Sequence, residues 1–468
     1  MSTRRAFLAA TATLAAAPAH VLDACAAAAP GKRAFAALRH DLRGTVLLPG
    51  HAAYESARKV YDTRWDAIRP PAVVRPRDAG DVQTVVRWAG DHDVALVARS
   101  GGHGYNGGST SETAVVVDLR HLNAIRPGAT AVVGPAARNI DVYAALAGQG
   151  RGWASGSCPT VAAGGLALGG GMGLAARRHG LTLDTLTAAE IVTADGRRQT
   201  VSGDDDLFWA IRGGGGNFGI VTALHLETFT RARAASFQAS YPRSSADAAL
   251  AAWDALAPTA PRELTSIFTL PRGSGARVTA LGQFLGTEAA LRRIVAPLAN
   301  VAGVTISYGT SDYLSLQRRW AGCADGGLAT CQAYRPQSFA AASVYVADPL
   351  TAADRHAFLD AAEDATLLLD AYGGAINDVA AGATAFVHRD ARFSVQILDY
   401  GAISSVAPAV ARAHAKLQPI SNGEAYQNYA DPALANARQA WYGANLPRLR
   451  QIKGQVDPDR RFRLRQGI

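Results

Sequence analysis

The chain has 468 residues, of which 49% are hydrophobic and 18% charged, with 47 glycines. That is too long for one ordinary core and too apolar for disorder, so two globular domains are expected. The net charge of +9 comes from basic residues scattered singly or in pairs, all but four of them Arg; with no run of five or six, neither nucleic acid nor a membrane surface is an expected partner.

Residues 1–30 read as an export segment. Thr3-Arg4-Arg5-Ala6-Phe7-Leu8 is similar to a twin-arginine signal, and the apolar stretch behind it ends near Ala19, before His20 and Asp23. It falls short of the ~20 apolar residues that cross a bilayer, so secretion is expected and a membrane span is not. Cys25 belongs to this segment, Cys323 and Cys331 are close enough to pair in an oxidising compartment, and Cys158 is left over.

Residues 30–65 form a helical and irregular lead-in. A strand at 72–76, a helix at 79–92 with Val82, Val85, Val86 and Ala89 on one face, and a strand at 94–98 follow. Short strands at 114–119 and 130–134 precede a helix at 140–149. Residues 187–193 and 199–201 pair as a hairpin about Asp195-Gly196, and a helix at 205–212 leads through glycines 213–216 to a strand at 220–229. Past Arg231 the texture changes. Strands at 265–270 and 278–285 precede a helix capped by Thr287, with Leu291, Ile294, Val295 and Leu298 on its apolar side. A second helix begins near Thr351, strands at 383–388 and 393–398 flank Arg389-Asp390, and an amphipathic helix at 432–456, carrying Trp441, Leu446, Leu449 and Ile452, stops at Asp457-Pro458. Strands followed by covering helices imply an antiparallel sheet layered on one face, and an α+β fold.

Three strings carry chemistry. Val97-Ala98-Arg99-Ser100-Gly101-Gly102-His103 leaves the 94–98 strand, Gly156-Ser157-Cys158-Pro159-Thr160-Val161 runs into Gly169-Gly170-Gly171-Met172-Gly173, and Tyr426-Gln427-Asn428-Tyr429-Ala430-Asp431 stands near the C-terminus. Together they resemble the berberine-bridge subgroup of the vanillyl-alcohol-oxidase flavoproteins, with their PCMH-type FAD-binding domain. The resemblance runs from about Ala72 to the C-terminus and is strongest before Arg231 and after Gly423. It implies an FAD-binding domain in two parts, 31–230 and 418–468, around a substrate domain at 231–417.

The resemblance also implies FAD bonded through its 8α-methyl carbon to His103 and through C6 to Cys158. Arg99, Ser100, Gly101, Gly102, Gly104 and Tyr105 accompany the histidine at the cofactor. Gly164, Gly165, Gly169, Gly170, Gly173, Gly219, Ile220 and Val221 join them, with Asn428 and Tyr429 from the C-terminal motif. Tyr429 is implied as the catalytic base, with Tyr426 beside it. A phenol, with a reference pKa of about 10, is a poor base unless a neighbour assists it. Asp370 resembles the carboxylate that partners this tyrosine in sugar-oxidising members, and Gln396 resembles a pocket glutamine. Val161, a small aliphatic residue three positions past Cys158, resembles the residue that lets oxygen reach the flavin.

Gly102-His103-Gly104-Tyr105-Asn106-Gly107 and Gly214-Gly215-Gly216-Asn217-Phe218-Gly219 each fit G-x-G-x-x-G, but the dinucleotide fingerprint needs a helix opening on its last glycine. Strands follow both, so no Rossmann site is expected; the glycines let backbone N–H groups approach a diphosphate and form amide nests for it. No H-E-x-x-H or C-x-x-C string is present, and no metal is expected. The expected activity is that of a secreted FAD-dependent oxidase, in which hydride leaves a substrate C–OH for the flavin, Tyr429 takes the hydroxyl proton, and molecular oxygen becomes hydrogen peroxide. An oligosaccharide or a bulky secondary metabolite suits the open cleft of a doubly tethered flavin, although Leu367-Leu368-Leu369, before Asp370, lacks the aromatic and amide side chains of a carbohydrate subsite. The alternatives are an oxidative cyclase or amine oxidase on the same flavin, and a non-catalytic flavin-binding protein.

Overall fold

Asp78 starts the helix Ala79–Asp91, its side chain accepting from the N–H groups of Gly80 and Asp81. Val82, Val85, Val86 and Ala89 are buried on its inner face against Phe35, Val74, Val115 and Val117. The computed structural model describes residues 31–230 and 233–468; residues 1–30, expected to be an export segment, lie with Cys25 outside the described residues. The lead-in holds more order than expected, with helices Lys32–Asp41 and Tyr54–Arg58 and the strand Thr45–Leu47.

Four strands form the first sheet, in the order Thr45–Leu47, Val73–Arg75, Val115–Asp118, Leu96–Arg99. The last three run parallel, so the chain leaves Arg99 at the carboxyl end of parallel strands, where open α/β sheets place ligands. The second sheet is antiparallel, in the order Ile125–Arg126, Thr130–Val133, Ile220–Glu227, Leu186–Val192, Arg198–Ser202. Its last pair is the expected hairpin, turned at Gly196 with φ +73°.

The third sheet has seven antiparallel strands in the order Thr305–Ser311, Ala234–Tyr241, Val278–Phe284, Leu264–Leu270, Thr366–Ala371, Phe393–Tyr400, Phe339–Val346. Its faces differ with period two. Val344, Leu367, Leu369, Phe393, Val395 and Ile397 face a core closed by the helices Ala246–Leu256, Ala352–Asp364 and Ile403–Leu417. Ser343, Leu368, Asp370, Ser394 and Gln396 occupy the alternate positions, and the register sets Asp370 opposite Ser394 and Gln396 opposite both Leu368 and Ser343. One layer of helices on one face agrees with the α+β expectation.

Three expected elements differ. Residues 383–388 are not a strand: the N–H groups of Ala385 and Phe386 donate to the carbonyls of Trp209 (3.3 Å) and Arg212 (3.1 Å), at the end of the helix Asp206–Gly214. The run is apolar because it is buried there, and the strand beside Phe393–Tyr400 is the leucine-rich Thr366–Ala371 instead. The helix at 287–298 is two, Glu288–Ile294 and Ala296–Ala299, because Pro297 has no N–H to carry the ladder across; Thr287 caps the first, accepting from Ala290 N–H. The helix at 432–456 is also two, Ala437–Tyr442 and Leu446–Val456, parted where Gly443 takes φ +45°.

Arg177, on the short helix Ala176–His179, pins the first half of the chain to the seven-stranded sheet. Its buried guanidinium donates to the carbonyls of Tyr372, Leu264, Pro258 and Ala260 at 2.6–2.8 Å and of Pro261 at 3.3 Å. Burial lowers its pKa to about 10, so it stays cationic at neutral pH. Arg177→Met leaves those carbonyls unpaired, at a cost of ~3 kcal/mol or more. A thermal scan of the flavin-loaded variant is expected to show Tm lower by roughly 5 °C or more; an unchanged Tm would mean that water replaces the guanidinium.

Candidate active site

Beyond the strand Leu96–Arg99 the chain turns over a cavity of about 310 Å³ that both ends of the chain line. Arg99 does not line it. Its guanidinium is buried behind the turn, donating to Asp118 Oδ2 (3.1 Å) and to the carbonyls of Arg58 (3.3 Å) and Ala57, and so fixes where the next residues stand. Ser100, Gly101, Gly102, His103, Gly104 and Tyr105 all line the cavity.

The half-buried His103 ring stacks on Tyr61 (centroids 4.1 Å apart, 25° between planes) and meets Tyr334 edge-on at 5.7 Å. Its Nε2 is 3.2 Å from Thr160 Oγ1, and Nδ1 bonds no described residue. Burial pulls the imidazole down to about 4, so the ring is neutral at neutral pH.

Cys158 approaches from the other side, on a loop held by Asn139, whose Nδ2 donates to the carbonyls of Gly156 (3.3 Å) and Cys158 (3.0 Å). Its side chain is open to the cavity although protein surrounds it, and burial, then the charge of Asp370, pushes its thiol up. The other two described cysteines, Cys323 and Cys331, form a disulfide.

The glycines after Cys158 do two different jobs. Gly164, Gly165 and Gly169, on the helix Ala163–Gly169, line the cavity with Gly219 and Val221. Gly169 to Gly173 chiefly admit other groups. A Cβ on Gly169 would lie 2.1 Å from Asn428 Oδ1, one on Gly170 (φ +142°) 2.6 Å from the Tyr426 hydroxyl, and one on Gly173 1.7 Å from Ser155 O. Gly170, Gly173 and Ile220 stand behind the cavity wall rather than in it; Ile220 is buried opposite Val192.

Asn428 Nδ2 donates to Leu166 O (3.1 Å) and to the Tyr426 hydroxyl (3.0 Å), which also accepts from Gly171 N–H (2.7 Å). With that motif anchored, Tyr429 faces the cavity. Its ring meets Tyr426 edge-on at 4.8 Å and stacks on Tyr105 at 6.0 Å, and its hydroxyl donates to Asp370 Oδ2 at 3.2 Å. Asp370 and Gln396 come from the polar face of the seven-stranded sheet, just behind the two tyrosines; Gln396 Nε2 donates to the Tyr105 hydroxyl at 2.8 Å. Burial raises Asp370 to about 7, against the hydrogen bonds from Tyr429 and Ser394 that favour its charge. Burial and the Asp370 charge push the Tyr429 phenol well above its ordinary value, and burial takes Tyr426 up to about 12.

Several residues were not anticipated. Tyr61, Thr160 and Tyr334 contact His103, and Asn106, Asn139 and Leu464 to Gly467 help to form the wall. Of these only Thr160 and Asn106 lie inside strings picked out in the sequence, Asn106 within the glycine string 102–107. Asn106 Nδ2 ties the tail in, donating to Arg465 O (3.2 Å) and Gln466 Oε1 (3.0 Å).

The wall suits FAD. A Cβ on Gly104 or Gly216 would find its nearest atom 3.9 Å away and one on Gly165 nothing within 4 Å, so each would stand in the cavity itself. Among the described residues the backbone N–H groups of Gly101 to Tyr105 donate to no protein acceptor, which makes the turn an amide nest for a diphosphate.

An FAD binding domain model matches residues 70–202, and a model described as berberine and berberine like matches residues 425–468. A chitooligosaccharide oxidase of Gibberella zeae is 30% identical over 431 residues, covering 85% of this chain and 87% of that protein. A glucooligosaccharide oxidase of Sarocladium strictum is 30% identical over 434 residues, covering 83% and 85%. Among solved structures, Physcomitrella patens BBE-like 1 matches with a TM-score of 0.87 at 28% identity, covering 92% of this chain and 98% of that one. With both family models matched and these relatives aligned over most of their length, the chain belongs to the berberine-bridge-like family and is an FAD-dependent oxidoreductase.

Proposed function

We propose that the protein is an exported oxidase that dehydrogenates a C–OH group of a bulky substrate and passes the electrons to molecular oxygen, giving hydrogen peroxide, with FAD held covalently by His103 and Cys158. The observation that carries this reading is the Tyr429 hydroxyl donating to Asp370 at 3.2 Å, on a wall shared with His103 and Cys158. When bound, FAD supplies the acceptor for the hydride of the carbinol carbon and the route of the electron pair to oxygen.

The remaining work belongs to side chains. Tyr429 takes the substrate's hydroxyl proton as the C–H bond breaks. Its phenol is too weakly acidic to wait as a phenolate, so it hands its own proton to Asp370 in the same movement. A carboxyl raised to about 7 is matched to that exchange near neutral pH. Tyr105, held by Gln396, keeps the Tyr429 ring in place.

Val161 lines the cavity three positions after Cys158, and its small side chain supports oxygen as the acceptor. The two aligned relatives, a chitooligosaccharide oxidase and a glucooligosaccharide oxidase, support a carbinol substrate and an oxidase. The twin-arginine-like string supports export of the folded protein, and a cavity walled by both ends of the chain supports the two-part domain 31–230 with 418–468 around 231–417.

Asp370 accepts a proton only when ionised, so the rate of flavin reduction is expected to rise with pH through about 7 and then level off. Asp370→Asn removes the rise and lowers the plateau by about 10- to 100-fold. A wild-type rate flat from pH 5 to pH 9 in anaerobic stopped flow would take Asp370 out of the proton's path. A peroxide screen of the purified yellow protein against sugars, aromatic alcohols and amines tests the function itself. Peroxide from a sugar or alcohol is expected. Turnover of amines alone, or a cyclised product, favours an amine oxidase or cyclase, and no peroxide from any reductant leaves a flavin-binding protein.

A further inference from the structure

We infer that the protein carries, beside the cavity, a subsite for a flat, hydrogen-bond-poor ring, an aromatic or polycyclic part of the substrate remote from the oxidised carbon, built by the exposed rings of Tyr334 and Tyr400 with Tyr61, over the buried support of Phe339. The inference rests on the reading above, in which Tyr429 marks the reacting end.

Among the described residues two large hydrophobic side chains are exposed, Tyr334 (44%) and Tyr400 (54%). Scattered exposed rings need no explanation, but these two, from distant segments, are linked to each other through Tyr61 and Phe339. Tyr334 stands edge-on to Tyr61 at 5.6 Å and to His103 at 5.7 Å. Tyr400 lies 5.7 Å from Phe339, whose ring also meets Tyr61 at 6.4 Å and Tyr105 at 4.8 Å. Tyr105 stacks on Tyr429, so an unbroken series of rings joins the exposed rim to the base.

The sheet explains what such a rim can hold. Moving outward on its cavity face, Asp370 and Ser394 are followed by Gln396 with Leu368 and Ser343, then Leu398 with Thr366 and Ala341, then Tyr400 with Phe339. Each step of two residues is about 7 Å. Gln396 is engaged by Tyr105, and the Thr366 hydroxyl opposite Leu398 already accepts from Arg272 N–H at 3.1 Å; beyond Gln396, Phe339, Ala341 and Leu398 form one apolar cluster with Tyr61, Tyr105 and Leu368 packed on it. A sugar ring seated over this end would lose water from its hydroxyls and find phenols and one engaged threonine hydroxyl in exchange. A flat apolar ring loses little and gains offset or edge-on contacts.

The rim is also preorganised. Gln332, just past the Cys323–Cys331 disulfide, donates to Asp141 Oδ1 (2.6 Å) and accepts at its carbonyl from Arg138 (2.8 Å), while Gln337 exchanges backbone bonds with Tyr61 and Thr63 at 3.0 Å. Tyr334 is therefore held from both sides.

The test uses arene amides that have no C–OH and a reduced oligosaccharide that has no hemiacetal C–OH, each titrated anaerobically against the oxidised flavin band so that binding is read apart from turnover. Benzamide, 2-naphthamide and 9-anthracenecarboxamide are titrated into the flavin-loaded protein, with cellotriitol as the sugar arm, and Kd is taken from the shift of the visible flavin band. Kd is expected to fall about fivefold with each added fused ring. Tyr334→Ala and Tyr400→Ala each weaken the anthracene ligand about tenfold, Tyr400→Phe does not, and all three keep the wild-type flavin spectrum. A Kd indifferent to ring area, or unchanged in both alanine variants, overturns the subsite. So does tight cellotriitol binding that Tyr334→Ala or Tyr400→Ala abolishes, because the rings would then be a sugar platform. Ring-dependent binding in a protein that yields no peroxide from any alcohol would refute the oxidase reading and leave the subsite standing.

Discussion

Tyr429→Phe is expected to slow anaerobic reduction of the bound flavin by about 10²- to 10⁴-fold while leaving its spectrum, and the Tm of the protein, close to wild type. The substitution removes one oxygen and keeps the ring contacts with Tyr426 and Tyr105 that hold the position. What it takes away is the only phenol in the cavity wall with a carboxylate as hydrogen-bond acceptor, Asp370 at 3.2 Å. Tyr426 also lines the cavity but cannot stand in, because its hydroxyl oxygen already accepts from Gly171 N–H and Asn428 Nδ2 and it has no carboxylate as hydrogen-bond acceptor. Tyr105 cannot either: its hydroxyl accepts from Gln396, an amide that takes no proton. Substrate dissociation constants taken from the same traces are expected to change less than the limiting rate, since the phenol acts on the proton in flight rather than on the bound ground state. Reduction at the wild-type rate would remove Tyr429 from the mechanism and shift attention to Asp370 acting alone.

How much of this was readable beforehand depended on whether the signal was local. The helix Ala79–Asp91 and the hairpin after Leu186 follow from periodicity and a turn pair, and the structure has them where the pattern put them. His103, Cys158 and Tyr429 sit in strings compact enough to recognise, and the fold brings all three to one cavity. The segment 383–388 misled because burial against a helix end leaves the same apolar run as burial in a sheet. The leucines before Asp370 misled in another way. Leu367 and Leu369 point into the helix-covered core, and Leu368 alone shares the face of Asp370, so most of that tract says nothing about a carbohydrate subsite. Gly170 was expected at the cofactor as part of a glycine tract; the lack of side chains at Gly170 and Gly171 is explained by Tyr426 and Thr182 pressing on them, contacts that span about 255 residues for the first and 11 for the second. The Tyr61 and Tyr334 contacts with His103 join distant segments of the chain and had no local signature at all.

The second large effect concerns attachment. Wild-type protein precipitated with acid and washed is expected to stay yellow, with a mass above the bare polypeptide by one FAD. The two side chains are set up differently for this. His103 is kept neutral by burial, and its Nε2 lies 3.2 Å from Thr160 Oγ1; in the tautomer that donates there, the lone pair of Nδ1 is left for carbon. Cys158 is a poorer nucleophile at rest, because burial and the Asp370 charge hold it as a thiol; its bond is expected to form faster at higher pH, and faster in Asp370→Asn. His103→Ala and Cys158→Ala each remain yellow after acid through the surviving bond. The double variant gives a colourless pellet, yet binds FAD in the native state through the amide nest and glycine wall, and it reduces about 10²-fold more slowly once the ring is free to shift against Tyr429. Thr160→Val, which removes the hydroxyl beside Nε2, slows histidyl attachment while sparing the cysteinyl bond. A wild-type pellet that washes colourless would leave the cavity as a site for dissociable FAD, and the neutral imidazole and free thiol facing it without the role assigned to them here.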